Sequence, residues 1–207
     1  MSDDLVLFEH VVIENVTRKT LFLFHGTGGT KNDFLFLNEL LGSKYTLVGL
    51  MGNVDESGMK RFFKRHAEGV FDVESIQTES AKLDRFITTW TKKHYLNRED
   101  MVFLGYSNGA NILLSTLFLF PSHFQHMALL HPMLPLESQP DLDISGKKLF
   151  VSYGAGDTMA DPKESVRVID ALTEHGAEVA SHEYPGGHGI SNPEIDDVVT
   201  FLVDAVQ

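Results

Sequence analysis

Ser107, in the pentapeptide Gly105-Tyr106-Ser107-Asn108-Gly109, is the residue of this chain best suited to act as a nucleophile. The apolar run Met101 to Gly105 before it reads as a strand, and the run from Ala110 onward as a helix. A serine on so sharp a strand-to-helix turn has its hydroxyl pushed out above the sheet, and the flanking glycines remove side chains that would collide in the bend. Serine attacks poorly unless a base lies within hydrogen-bond reach and a third group orients that base. Both follow downstream. Gly154-Ala155-Gly156-Asp157 succeeds the strand candidate Lys148 to Tyr153, and Pro185-Gly186-Gly187-His188-Gly189 succeeds the candidate Ala177 to Tyr184. Ser, Asp, His is the chain order of one class of α/β enzymes that cleave acyl bonds. Asp161 is a competing acid, although Pro162 and Glu164 beside it read as a helix start.

A tetrahedral intermediate needs preorganised donors for its oxyanion, each contributing about 3 kcal/mol of transition-state stabilisation. The spacing predicts two backbone amides in this role. One is that of Asn108, at the positive end of the helix after the nucleophile. The other is that of Thr27, in the glycine-rich turn His25-Gly26-Thr27-Gly28-Gly29. That turn continues into Thr30-Lys31 but matches neither nucleotide-binding glycine pattern in register, so phosphate binding is not expected. His25 itself reads as a support for the turn.

Strands that position these loops are expected at Leu5 to Ile13, Thr20 to Phe24, Tyr45 to Leu50 and His126 to Leu130, besides the three already named. Between them lie helical stripes, one of Leu83, Phe86, Ile87, Trp90 and His94 and another of Ile195, Val198, Val199, Leu202 and Val206. Alternating strands and helices build a mostly parallel sheet with helices on both faces, an α/β fold, and the first strand is expected to be antiparallel. Asp161-Pro162 and Asn192-Pro193 are expected helix starts. No repeat, linker or low-complexity tract divides the chain, so residues 1–207 read as one domain. The least regular stretch, Gly52 to Asp72, sits between a strand and a helix, where open α/β sheets carry binding loops.

Composition narrows the remaining chemistry. The 207 residues carry 17 basic and 29 acidic side chains, a net charge of −12 that repels nucleic acid and anionic membrane surfaces. The absence of cysteine removes disulfides, thiolate nucleophiles and cysteine metal sites together. Ten histidines raise the question of a metal, but the nearest pair, His182 and His188, lacks ligand spacing, so neither metal nor cofactor is expected. Met1-Ser2-Asp3-Asp4 has no basic leader and no apolar run reaches membrane length, which predicts a cytoplasmic protein.

These residues resemble a known family. His25-Gly26-Thr27-Gly28-Gly29, Gly105-Tyr106-Ser107-Asn108-Gly109-Ala110-Asn111, Gly156-Asp157 and Gly187-His188 look like the compact phospholipase/carboxylesterase branch of the α/β-hydrolases, from about Leu21 to the C-terminus. Gly58 to Phe63, Glu68 to Asp72 and His131-Pro132-Met133 look more narrowly like bacterial hydrolases associated with hydroquinone and catechol resistance, often labelled dienelactone-hydrolase-like. The resemblance implies serine-dependent hydrolysis of small carboxylic esters, with no cap domain and no metal, and makes a homodimer plausible. Two departures stand out. True dienelactone hydrolases commonly use a cysteine nucleophile, absent here, and Gly189-Ile190 follows His188 where a larger polar residue is expected. Met59, Arg61, Phe62, Phe63 and Met133, on loops after strands, are the candidates to line the acyl or alcohol pocket, Arg61 meeting an anionic or polar part of the substrate. Thioester, lactone or lysophospholipid cleavage, acyl transfer to another acceptor, and ligand binding without catalysis stay open at this level.

Overall fold

The computed structural model describes residues 4–138 and 140–205. From the amino end the chain forms β1 (His10–Ile13), β2 (Thr20–Phe24), the short α1 (Leu37–Leu40) and β3 (Thr46–Leu50). Two small hairpins follow, β4 (Val54–Glu56) with β5 (Met59–Arg61) and β6 (Arg65–Ala67) with β7 (Val70–Phe71), and then the long α2 (Val73–His94). The second half alternates through β8 (Met101–Tyr106), α3 (Asn108–Leu119), β9 (His126–Leu130), β10 (Lys148–Gly154), α4 (Pro162–Glu174), β11 (Glu178–Tyr184) and α5 (Asn192–Asp204). Among the described residues no helix is long and apolar enough to cross a membrane.

Seven strands form one sheet in the order β1-β3-β2-β8-β9-β10-β11, parallel throughout except for β1. The first strand is antiparallel as expected, but it pairs with β3 rather than with its neighbour in sequence. It is also shorter than Leu5 to Ile13, because Asp4–Leu7 turns as a 3-10 helix. Leu5 and Phe8 are both buried in the core. A strand would send residues an odd number apart to opposite faces, whereas one tight turn brings positions three apart to the same side.

Alternation along the strands divides the core. Phe22, Phe24 and Phe103 pack under α2, α3 and α4, through Leu83, Phe86, Trp90, Leu113, Leu117, Val168 and Leu172. On the opposite face Leu21, Leu23, Val102 and Leu104 meet α1 and α5, through Leu37, Val198 and Leu202. Val206, assigned to the last stripe from sequence, lies outside the described residues. Asp161 caps α4 by accepting from the Lys163 amide, with Pro162 in the first turn. The cap of α5 is Ser191 rather than the expected Asn192. Its hydroxyl accepts from the Glu194 amide while Glu194 reaches back to the Ser191 amide, a reciprocal box that Asn192 could not form with a residue two positions on. The six parallel strands all end at one edge of the sheet, and the loops leaving that edge carry Thr27, Ser107, His131, Asp157 and His188.

Candidate active site

Ser107 sits at the tip of the β8–α3 turn with a φ of 52°, a conformation that side chains other than glycine rarely adopt. Its amide donates to the Leu130 carbonyl (2.8 Å), tying the turn to β9. Both glycines of the pentapeptide are demanded by close approach. A methyl at Gly105 would strike the backbone of Gly109, and one at Gly109 would strike the Phe24 and His25 carbonyls. The turn is therefore pressed onto the end of β2, the strand beside β8. Asn108 begins α3, so its amide is one of the helix donors left without an intrahelical acceptor.

Three loops bring His188 and Asp157 to the serine. Ser107 Oγ lies 2.8 Å from His188 Nε2, and His188 Nδ1 lies 2.7 Å from Asp157 Oδ2. The Tyr106 hydroxyl donates to the His188 carbonyl (2.6 Å) and fixes that loop from below. Asp157 is 5% exposed, yet its carboxylate is saturated with donors, Oδ1 accepting from the Met159 and Ala160 amides at 2.9 Å each. Burial alone would raise its pKa. The Ala160 amide, His188, His131 and the Met159 amide outweigh that and hold it below the usual carboxylate range. Asp161, the competing acid, is occupied in capping α4 and stands apart from this chain of contacts.

The loop carrying Thr27 is held from two directions. His25, almost fully buried, accepts the Gly52 amide at Nε2 (3.0 Å) and has Nδ1 2.6 Å from the Gly26 carbonyl. Nδ1 therefore carries the proton, and burial keeps the ring neutral. From the other side comes the segment Lys60 to Phe62. The Lys60 carbonyl accepts the Gly28 amide (2.9 Å), Arg61 Nη1 donates to Thr27 Oγ1 (2.7 Å), and the Phe62 amide donates to Asn108 Oδ1 (2.7 Å). Three consecutive residues thus bind both candidate oxyanion loops to each other.

Between these loops lies a cleft of about 440 Å³ lined by Met59, Arg61, Arg65, Phe71, Met133 and Met159 around Ser107 and His188. Of the residues proposed from sequence to line it, Met59, Arg61 and Met133 do. Phe62 and Phe63 do not. Both are fully buried, Phe62 against Phe24 and the His25 ring and Phe63 against Phe71. Two phenylalanines in succession at the end of a hairpin gain more by filling the gap under α2 than by facing water. Arg61 is not a free cation. It is 3% exposed and shares Glu56 with Arg65 while donating to the Phe63 carbonyl.

Sequence reasoning gave no separate role to two buried ionisable groups. His131, at the end of β9 with a φ of 50°, places Nδ1 2.9 Å from Asp157 Oδ2, the oxygen that His188 also uses. Its Nε2 lies 3.3 Å from Glu194 Oε1, a contact without the alignment of a good hydrogen bond. Glu194 is 1% exposed and accepts from the Ser152 hydroxyl (2.6 Å). His131, Asp157 and His188 form a cluster of metal-ligand type. Both Nδ1 atoms face the same carboxylate oxygen, however, an arrangement that calls for protons where a metal ion would sit. His182 pairs with Asp197, and its partner is therefore not His188.

The family model of phospholipases and carboxylesterases matches residues 10–205. A Bacillus subtilis hydrolase, MhqD, is 33% identical over 198 residues, covering 96% of this chain and 99% of that protein. The crystal structure of a Bacillus cereus carboxylesterase superposes with a TM-score of 0.91 at 33% identity, covering 96% of this chain and 95% of the other. A carboxylesterase from Mesorhizobium loti superposes with a TM-score of 0.87 at 32% identity over 94% of each chain.

Proposed function

The chain belongs to the phospholipase/carboxylesterase family of α/β-hydrolases, and from that premise we propose that it is a serine carboxylesterase acting on small carboxylic esters through an acyl-enzyme. The observation that carries this reading is the unbroken path of contacts from Ser107 Oγ through His188 to Asp157, at 2.8 and 2.7 Å, on the floor of the cleft. Ser107 attacks the ester carbonyl while His188 Nε2 takes its proton. Asp157 keeps the proton on Nδ1, so that the nitrogen facing the serine is the basic one. The amides of Thr27 and Asn108 receive the oxyanion of the tetrahedral intermediate. His188 returns its proton to the leaving alcohol, and water then repeats the sequence on the acyl-serine.

The cleft supports a small substrate. Methionines at positions 59, 133 and 159 and Phe71 offer apolar lining to one part of the ester, and Arg61, Arg65 and Glu68 offer polar lining to the other. Thioesters and lactones present the same carbonyl to the same groups. The test is hydrolysis of p-nitrophenyl acetate, butyrate and octanoate by the wild type and Ser107→Ala, with fluorophosphonate labelling and mass mapping. Turnover falling by at least about 10⁴-fold in the variant, together with a label on Ser107, is expected. A folded wild type that neither turns over nor takes the label would leave a ligand-binding protein on the same scaffold.

A further inference from the structure

We infer that His131 and Glu194 are positioning residues of the same site. In this reading His131 is a buried cation seated between the Asp157 and Glu194 carboxylates, and it holds Asp157 ionised and aimed at His188. The inference rests on the proposed roles of Ser107, His188 and Asp157.

Geometry carries it first. The His131 ring is 1% exposed and each of its nitrogens faces a carboxylate oxygen, at 2.9 Å to Asp157 and 3.3 Å to Glu194. A neutral imidazole keeps one nitrogen lone pair, and here that pair would point at an anion. The doubly protonated ring meets both carboxylates with a proton, Asp157 through a hydrogen bond and Glu194 through an ion pair. A buried cation is tolerated when it is paired on both sides, and Glu194, which also accepts from the Ser152 hydroxyl and the Ser191 amide, gains in that cation a charged partner. The surroundings agree. Burial opposes the charge on His131, but Glu194 and Asp157 outweigh it and raise its proton affinity above the ordinary imidazole value. Glu194 is likewise driven below the usual carboxylate range, because His131 and the Ser152 hydroxyl overcome the cost of burial.

The remaining ionisable neighbours leave this assignment intact. The His188 ring stands 5.2 Å from that of His131 and binds Asp157 through its own Nδ1. Tyr106 packs edge-on at 5.8 Å, and burial, with Asp157 and Glu194 nearby, pushes its phenol up to about 12. Tyr184, on the Glu194 side, donates to Asp197 and is also raised, mainly by burial. Both phenols stay neutral over the working range.

The backbone shows why a side chain is held here at some cost. His131 keeps a left-handed conformation, its amide bound to the Ser152 carbonyl (2.8 Å). The adjoining loop is pinned by the Met133 amide on Asn111 Oδ1 (2.9 Å) and the Ser165 hydroxyl on the Pro132 carbonyl (2.8 Å). Strain of this sort persists where surrounding contacts over-determine the conformation, as they do at functional sites. Asp157 Oδ2 receives two imidazole donors, from His131 and from His188, and its freedom to swing away from His188 is reduced.

The experiment has two readouts. Nitrogen-15 NMR of the wild-type imidazoles is expected to show both His131 nitrogens protonated at pH 7, with the deprotonation midpoint falling in Glu194→Gln. In parallel, His131→Asn keeps a short neutral donor toward Asp157 but removes the charge. Its kcat/KM is expected to fall about tenfold with KM unchanged, and the acid limb of its pH profile to move up by about half a unit to one unit, because the coupled Ser107–His188–Asp157 unit then takes a proton more readily. A neutral His131 in the wild type, or an acid limb that stays in place in a folded His131→Asn, would overturn the inference. If His131→Asn does not fold, the wild-type and Glu194→Gln spectra decide. Fluorophosphonate labelling of Ser107 in the same samples separates this result from failure of the serine reading, which would abolish the label in the wild type.

Discussion

The two sides of the cleft are built from different materials. On the candidate oxyanion side, Gly26 to Gly29, Lys60 to Phe62 and the start of α3 are joined mainly through backbone amides and carbonyls, with one charged donor, the Arg61 guanidinium on the Thr27 hydroxyl. On the base side, Asp157, His131, Glu194 and His188 are side chains that carry or exchange charge, three of them at most 5% exposed. The oxyanion side holds its shape through steric closeness, so a single methyl disrupts it while pH does not. The base side holds through paired charges in a poorly solvated pocket, where a lost proton matters more than a changed volume.

The sharpest probe of this contrast is Asp157→Asn, which leaves volume nearly intact and removes only charge. A kcat loss of about 10⁴-fold is expected, since the asparagine no longer enforces the productive tautomer of His188. Steady-state kinetics that show a loss below about tenfold would mean that the charge on the base side matters little. Next in size is Arg61→Met on the opposite side, which frees the Thr27 hydroxyl while keeping an apolar stem. Misplacing the Thr27 amide is expected to lower kcat by about 10- to 100-fold with the shape of the pH profile unchanged. A shifted profile would instead make Arg61 an electrostatic element.

The smallest effect concerns stability. Asp157 and Glu194 have lowered pKa values, so the stabilisation that they contribute is present above their unfolded values and is lost as pH falls through the folded ones. His131 has a raised pKa, so its contribution is full below its unfolded value and is lost as pH rises through the folded one. Urea unfolding at stepped pH is expected to give a maximum between these limits for the wild type. The alkaline decline should be shallower in His131→Asn. An identical decline in both proteins would place the alkaline loss elsewhere.

Much of the site was legible because its backbone leaves few choices. Gly105 and Gly109 cannot carry side chains against the end of β2, and an acid or a base after a parallel strand has only one edge to occupy. The β4–β5 brace was not legible. Nothing in Lys60-Arg61-Phe62 announces that a carbonyl, a guanidinium and an amide will reach Gly28, Thr27 and Asn108, residues 32 to 46 positions away. Phe62 and Phe63 were assigned to the cleft because a loop of unknown path gives no inside or outside. The reciprocal cap at Ser191 was hidden behind the more conspicuous Asn192-Pro193.

By itself the sequence determined the alternation of strands and helices, the serine turn, and the acid and histidine that follow, because glycine spacing and apolar runs act locally along the chain. The tertiary structure alone decided which side of the cleft each loop faces, that His131 and Glu194 meet behind Asp157, and that one short segment ties the two candidate oxyanion loops together. Those outcomes depend on groups far apart in sequence being desolvated together. Burial and charge pairing act through space, so they exist only once the sheet has set its strand order.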